Sequence, residues 1–305
     1  MANDYIKVLD DSKFFIVYAG LIGNLFTIQK TLYERYDKKS ETIKNTIETF
    51  FEELLMGKKP KFSFDKKTEG TRTGIICTIE HQDTVKRYYV KTHHDAGRSV
   101  NALQEGLDIR ELFVYRLLER LGVGATIQFP TSTVGSKCFM YIAGLQIPNF
   151  KTLDEVEREE DDYAHYVHPA IQMLTLFAVL SIGDRHSKNV GVGNDKSPFI
   201  IDFCMNNLEV RDLDRDFVLR IRHSNKINNL IDEYSFKECV DIAVDFLKKI
   251  GFEKKTDEAV QYFIENDKKA FEENNLHFSQ DITDDLKQYI QVVKQNLNKF
   301  FAYSN

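Results

Sequence analysis

The spacing of apolar positions divides the 305-residue chain into three stretches. Residues 1 to 57 carry helical spacing. After Ser40, the residues Ile43, Ile47, Phe50, Phe51, Leu54 and Leu55 share one helix face, and Gly57 followed by Pro60 ends the run. From Lys61 to about Tyr141 the texture is that of strands. Gly74-Ile-Ile-Cys-Thr-Ile-Glu80 and Val85-Lys-Arg-Tyr-Tyr-Val-Lys91 flank the turn residues His81-Gln-Asp, which predicts a hairpin. A helix interrupts the strands from Ile109 to Leu121, with Leu112, Tyr115, Leu118 and Leu121 at helical spacing and Gly122 at its stop. Phe139 to Ala143 predicts another short strand. After Gly144 the pattern is mainly helical, with a strongly apolar helix from His168 to Ser181 and further helices near 236–250, 257–273 and 282–301. The expected class is α+β, a bilobal arrangement with a helical extension over 1–57, a strand-rich small lobe with one main helix over 58–143, and a helical large lobe over 144–305.

Composition narrows the setting. Hydrophobic residues make up 42% and charged residues 29%, the balance of a folded domain. Lys plus Arg number 41 against 47 Asp plus Glu, a net charge of -6, which speaks against duplex nucleic acid as a partner. Cys77, Cys138, Cys204 and Cys239 are scattered, without a CxxC pair, so neither a disulfide framework nor a zinc site is expected. Asp4, Asp10 and Asp11 stand where a secretion signal carries positive charge, and no N-x-[ST] sequon occurs, so a cytoplasmic location is expected. The longest apolar run, Phe14 to Phe26, spans 13 residues and contains Gly20, Gly23 and Asn24. A membrane-spanning helix needs about 20, so a buried helix is expected there and no transmembrane segment.

One segment concentrates hard oxygen ligands: Gly183-Asp184-Arg-His186-Ser-Lys-Asn189-Val-Gly-Val, followed by Pro198-Phe-Ile-Ile-Asp202-Phe-Cys204. Val190-Gly-Val and Phe199-Ile-Ile read as two short strands joined across Asn194-Asp-Lys, and folding that hairpin returns Asp202 to the side of Asn189. A carboxylate and an amide of this kind suit Mg²⁺, which keeps several waters and bridges substrate phosphates.

These spacings, an Asp, an Asn five residues on and an Asp-Phe after a hairpin, resemble the protein-kinase-like superfamily. The Gly-Asp-Arg-His order and the Ile-Asp-Phe are most similar to the phosphatidylinositol 3- and 4-kinases and the atypical protein kinases allied to them, including actin-fragmin kinase and the HipA-type kinases. The resemblance covers roughly residues 61 to 225. It implies an Mg-ATP-dependent phosphotransferase in which Asp184 orients or deprotonates the accepting hydroxyl, His186 supports it or shares that role, and Asn189 and Asp202 hold Mg²⁺. It implies that Lys91, at the end of its strand, contacts the α- and β-phosphates and that Glu111, or alternatively Glu105, anchors it. The loop Lys66-Lys-Thr-Glu-Gly70-Thr71-Arg-Thr-Gly74 would cover the phosphates, without a G-x-G-x-x-G pattern. Phe139 to Ala143 would be the hinge, with Met140, Tyr141 and Ile142 at the adenine.

Cys204 replaces the glycine that usually follows Asp-Phe, which reduces backbone freedom there. The basic cluster Leu219-Arg-Ile-Arg-His-Ser-Asn-Lys226 offers Arg220, Arg222 and Lys226 to an anionic or phosphorylated acceptor. A protein Ser or Thr is the expected acceptor; an inositol-lipid kinase and a catalytically silent pseudokinase are the alternatives.

Overall fold

The computed structural model describes residues 41–56, 59–66, 74–92, 108–134, 137–206, 220–274, 276 and 282–304, and all that follows concerns these. Residues 1–40, and with them the apolar run at 14–26, lie outside the described residues. So do Gly70 and Thr71 of the expected phosphate loop and Glu105.

Residues 41–54 form helix α1. Its buried face, Ile43, Ile47 and Phe51, covers one side of an antiparallel sheet, against Ile75, Cys77, Ile79, Tyr88, Val90, Tyr141 and Ala143. The sheet is built from β1 (Lys61–Lys66), β2 (Gly74–His81), β3 (Thr84–Thr92), β4 (Ile127–Gln128), β5 (Thr131–Val134) and β6 (Lys137–Leu145), in the order β1-β2-β3-β6-β4 with β5 also on β6. The expected hairpin is β2–β3, closed by Gln82 and Asp83 between the paired residues His81 and Thr84. Gln82 takes the positive φ of 53° that a two-residue turn requires. β4 and β5 share one register on β6, Ile127 facing Gly144 and Thr131 facing Met140. They are one strand interrupted where Pro130 has no N–H to give the ladder, although its carbonyl still accepts from Tyr141 N–H at 2.9 Å.

The opposite side of the sheet meets α2 (Ile109–Leu121). Asp108 caps the helix by accepting from the Arg110 N–H, and Gly122, at φ 78°, closes it. Leu112, Phe113, Val114, Tyr115, Leu117, Leu118 and Leu121 are all buried. A helix apolar around its circumference must be covered on every side. Here the sheet covers one flank and the C-terminal helices the other, with Phe113 edge-on to Phe263 and Tyr289 at ring distances of 5.7 and 6.2 Å.

The rest is mainly helical: α3 (Leu153–Glu159), α4 (Ala164–Val179), α5 (Asn225–Ile231), α6 (Phe236–Lys249), α7 (Phe252–Tyr262), a π-helical turn (Phe263–Lys268) leading into α8 (Lys269–Glu273), and α9 (Ile282–Ser304). None of the described helices is long and apolar enough to cross a membrane. Three small ladders sit among them: β7 (Lys151–Thr152) with β9 (Val190–Val192), β9 with β10 (Pro198–Ile200), and β8 (Ile182–Gly183) with β11 (Cys204–Met205).

The expected mixed class and the main helices are found, with several differences. α4 begins at Ala164, so Pro169 lies inside it and has no N–H to give the His165 carbonyl; α7 begins at Phe252, where Gly251 turns at φ 64°. The two short helices α3 and α5 were not expected, being too brief to show a full period. α3 is instead fixed by its cap: Thr152 Oγ accepts from Glu155 N–H at 3.1 Å while the Glu155 carboxylate accepts from Thr152 N–H at 2.7 Å. Thr152→Ala is expected to cost about 1 kcal/mol in urea denaturation; an unchanged midpoint would show that the box contributes nothing.

Candidate active site

Four elements converge on one point. Lys91, near the end of β3, points to the α2 side of the sheet, because Tyr88 and Val90 alternate to the α1 side. It is 8% exposed. A buried ammonium needs partners, and it has two at 2.5 Å: Asp202 Oδ1 and the Tyr115 hydroxyl of α2. Tyr115 in turn donates to Asp202 Oδ1 at 3.2 Å, and so does the Phe203 N–H at 3.0 Å. The chain thus brings together residues 111 positions apart in one ion pair.

Asp202 follows β10, whose antiparallel pairing with β9 sets Ile200 opposite Val190. That register returns Asp202 to Asn189, whose carbonyl accepts from Ile201 N–H at 2.9 Å and from Asp202 N–H at 3.4 Å. Asn189 then spends its side-chain NH₂ on Asp184, on Oδ2 at 2.8 Å and on the carbonyl at 3.1 Å. Its amide oxygen is what it has to offer a cation.

Asp184 itself is exposed and takes φ 63°, the left-handed region, directly after β8. A Cβ at Gly183 would stand 2.6 Å from Asn206 Oδ1 and 3.0 Å from Cys204 Sγ, side-chain ends that would have to shift. Gly191 is required by close approach, since a Cβ would meet the Lys151 carbonyl at 2.1 Å. Cys204, the departure from a glycine, is locked into β11 opposite Gly183.

His186 lies beside Asp184, its N–H donating to the Asp184 carbonyl at 2.7 Å. Its Nδ1 accepts from Lys188 N–H at 3.1 Å, and its ring leans on that of His223 at 4.5 Å. Burial, and then the neighbouring charge of His223, hold its pKa below the usual histidine value. The lowered value favours the neutral ring, in which Nδ1, as acceptor, leaves the proton to Nε2.

Some expected placements differ. Lys91 forms its ion pair with Asp202 and not with Glu111: the ammonium lies level with the second turn of α2, where Tyr115 stands, one turn beyond the buried Glu111. Met140, Tyr141 and Ile142 are interior residues of β6, Met140 paired with β5 and the other two with β3, and the strand continues through Gly144 to Leu145. The segment that leaves the sheet is therefore 146–150. Met140 and Ile142 pack on the α2 side, but Tyr141 faces α1, where burial pushes its hydroxyl up to about 12 and Thr46 is its hydrogen-bond partner. In the basic cluster, Arg220 pairs with Asp232 at 2.7 Å, and Lys226 donates to the Glu157 carbonyl and to the Tyr163 hydroxyl. Arg222 remains beside the Asp184 loop, its backbone joined to Arg185 and Ser187. The expected phosphate loop leaves β1 at Lys66 and enters β2 at Gly74, whose ladder partner is Lys91.

Tyr115 is the site residue that the sequence pattern missed. Its signal is a hydroxyl at one of the apolar-spaced positions of α2, four residues after Glu111 and thus on the same face.

No protein-family model and no curated protein matches the chain. Among solved structures, WaaP in complex with acyl carrier protein aligns at 15% identity over 68% of this chain and 96% of that one, with a TM-score of 0.34. The MAP kinase LmaMPK10 from Leishmania major aligns at 11% identity over 81% of this chain and 98% of that one, with a TM-score of 0.36.

Proposed function

We propose that this protein is an ATP-dependent phosphotransferase of the kinase type, acting on a hydroxyl, with a protein Ser or Thr as acceptor. The observation that carries this reading is the convergence of Lys91, Asp202, Asn189 and Asp184 through the contacts described above. A cation from the sheet, two hard oxygen ligands and a separate exposed carboxylate are the groups that phosphoryl transfer needs. Among the described residues no three His, Cys, Asp or Glu side chains cluster to hold a metal by themselves. One carboxylate and one amide fit Mg²⁺, which completes its shell with water and phosphate. Asn189 and Asp202 would hold it, and when bound it supplies neutralising charge to phosphate oxygens.

Lys91 supplies the fixed positive charge on the other side of those oxygens. Asp184 takes the proton of the acceptor hydroxyl as its oxygen bonds to the γ-phosphorus and the bond to the bridging oxygen of the departing diphosphate breaks. Asp184 is preferred to His186 as the base, since His186 Nδ1 already accepts from the Lys188 N–H. The exposure of Asp184 suits a hydroxyl carried on a macromolecule.

Thermal unfolding with and without Mg-ATP tests the site without a known acceptor. At ligand near 100 times its dissociation constant the wild type gains about 2.7 kcal/mol, a shift of several degrees. Lys91→Ala and Asp202→Ala should show little shift, and ATP without Mg²⁺ should shift the wild type less. No shift of the wild type at millimolar Mg-ATP would sink the reading in favour of a silent scaffold. With binding established, transfer of labelled phosphate to Ser/Thr peptides against phosphatidylinositol vesicles separates the protein kinase from the lipid kinase.

A further inference from the structure

We propose that Tyr115 is a positioning residue, orienting Lys91 and Asp202 through its hydroxyl in the part that the sequence pattern assigned to a carboxylate. The inference rests on the nucleotide-binding reading above. A phenolic hydroxyl can accept from one group and donate to another at the same time, which an ionised carboxylate cannot. Here it does both, accepting from Lys91 Nζ and donating to Asp202 Oδ1. It therefore bonds to both members of an ion pair that meets directly at 2.5 Å, and it adds no negative charge beside the phosphates. If Lys91 turns from Asp202 toward a phosphate oxygen, the same hydroxyl still holds the ammonium at one end and the carboxylate at the other.

Its aim is fixed from two directions. The Tyr115 ring packs on Phe203 at a centroid distance of 4.4 Å, and Phe203 is the residue whose N–H also donates to Asp202. The Lys91 ammonium lies 4.8 Å from the centre of the Tyr115 ring, at its hydroxyl end. On α2, the next residue is Arg116, which a buried ion pair ties to Asp267, so the helix that carries Tyr115 cannot easily rotate. Tyr115 is 4% exposed, so water does not compete for its hydroxyl.

Tyr115→Phe removes one oxygen and keeps the ring on Phe203. Mg-ATP affinity is measured by calorimetry over a Mg²⁺ titration, for the wild type, Tyr115→Phe, Lys91→Met and the double variant, with unliganded melting temperatures alongside. Tyr115→Phe should weaken Mg-ATP binding about tenfold and raise the Mg²⁺ concentration needed, the loss of one charge-assisted hydrogen bond. In the Lys91→Met background the further loss should shrink to under about threefold, because one of the two charged partners is gone. Wild-type affinity and Mg²⁺ dependence in Tyr115→Phe would overturn the positioning role and leave the nucleotide site standing. An equal loss in both backgrounds would also overturn it, by showing that the hydroxyl acts on the fold at large. A wild type that fails to bind Mg-ATP removes the reading and the inference together.

Discussion

Asp267→Ala should destabilise the fold by about 3–5 kcal/mol in urea denaturation, a large part of the 5–15 kcal/mol that holds a typical domain together. Arg116 and Asp267 are 6% and 8% exposed and meet in a two-pronged pair, Nε to Oδ2 and Nη2 to Oδ1, each at 2.8 Å. Arg116 also contacts Glu119 and donates to the Ile127 carbonyl, and its guanidinium lies near the rings of Phe129 and Tyr262. Deleting the carboxylate leaves a desolvated guanidinium with two donors unanswered, and the remaining contact with Glu119 repairs only part of that. A pair of apolar replacements, Arg116→Met with Asp267→Leu, should recover most of the loss, since two buried charges are removed together. A cost below 1 kcal/mol for Asp267→Ala would show that the pair is not a structural tie.

The π-helical turn explains how Asp267 reaches Arg116. Ala259, Phe263, Asp267 and Phe271 are all buried and spaced by four. In an α-helix each step of four drifts by about 40° around the axis, so three steps would carry the last residue well off the face. A stretch of wider turn takes up that drift and keeps all four toward α2 and its neighbours.

Asp184→Asn is expected to lower ATP turnover by about 10²- to 10⁴-fold while leaving the Mg-ATP thermal shift nearly intact. The substitution is mild for the fold. Asn accepts the left-handed conformation at φ 63° as readily as Asp, and its side-chain oxygen can keep the hydrogen bond from Asn189. What it loses is the basicity that accepts a proton. Turnover equal to that of the wild type would remove Asp184 from the proposed role, and a lost thermal shift would make it a binding residue instead.

Much of this was legible from local pattern. The β2–β3 hairpin, the core helix at Ile109–Leu121 and the return of Asp202 to Asn189 all follow from periodicity and turn residues acting over short separations. The strand expected at Phe139–Ala143 is longer than its pattern indicated, because an apolar strand gives no signal of where its pairing ends. β6 runs to Leu145 since β3 and β4 both pair with its last residues, which are remote in sequence. The contacts of the exposed basic cluster were not legible because the partners of Arg220 and Lys226, Asp232 and the Glu157–Tyr163 segment, lie outside it.

Composition and period by themselves determined the mixed class and the order of a strand-rich part before a helical one. Those are consequences of side-chain alternation and short-loop geometry. Only the tertiary structure decided which partner Lys91 takes, that Tyr115 bonds to both it and Asp202, and that Arg116 is tied to Asp267 across 151 positions. A buried charge selects its partner by which carboxylate the packed elements bring within hydrogen-bond reach, and that distance is a property of the assembled core.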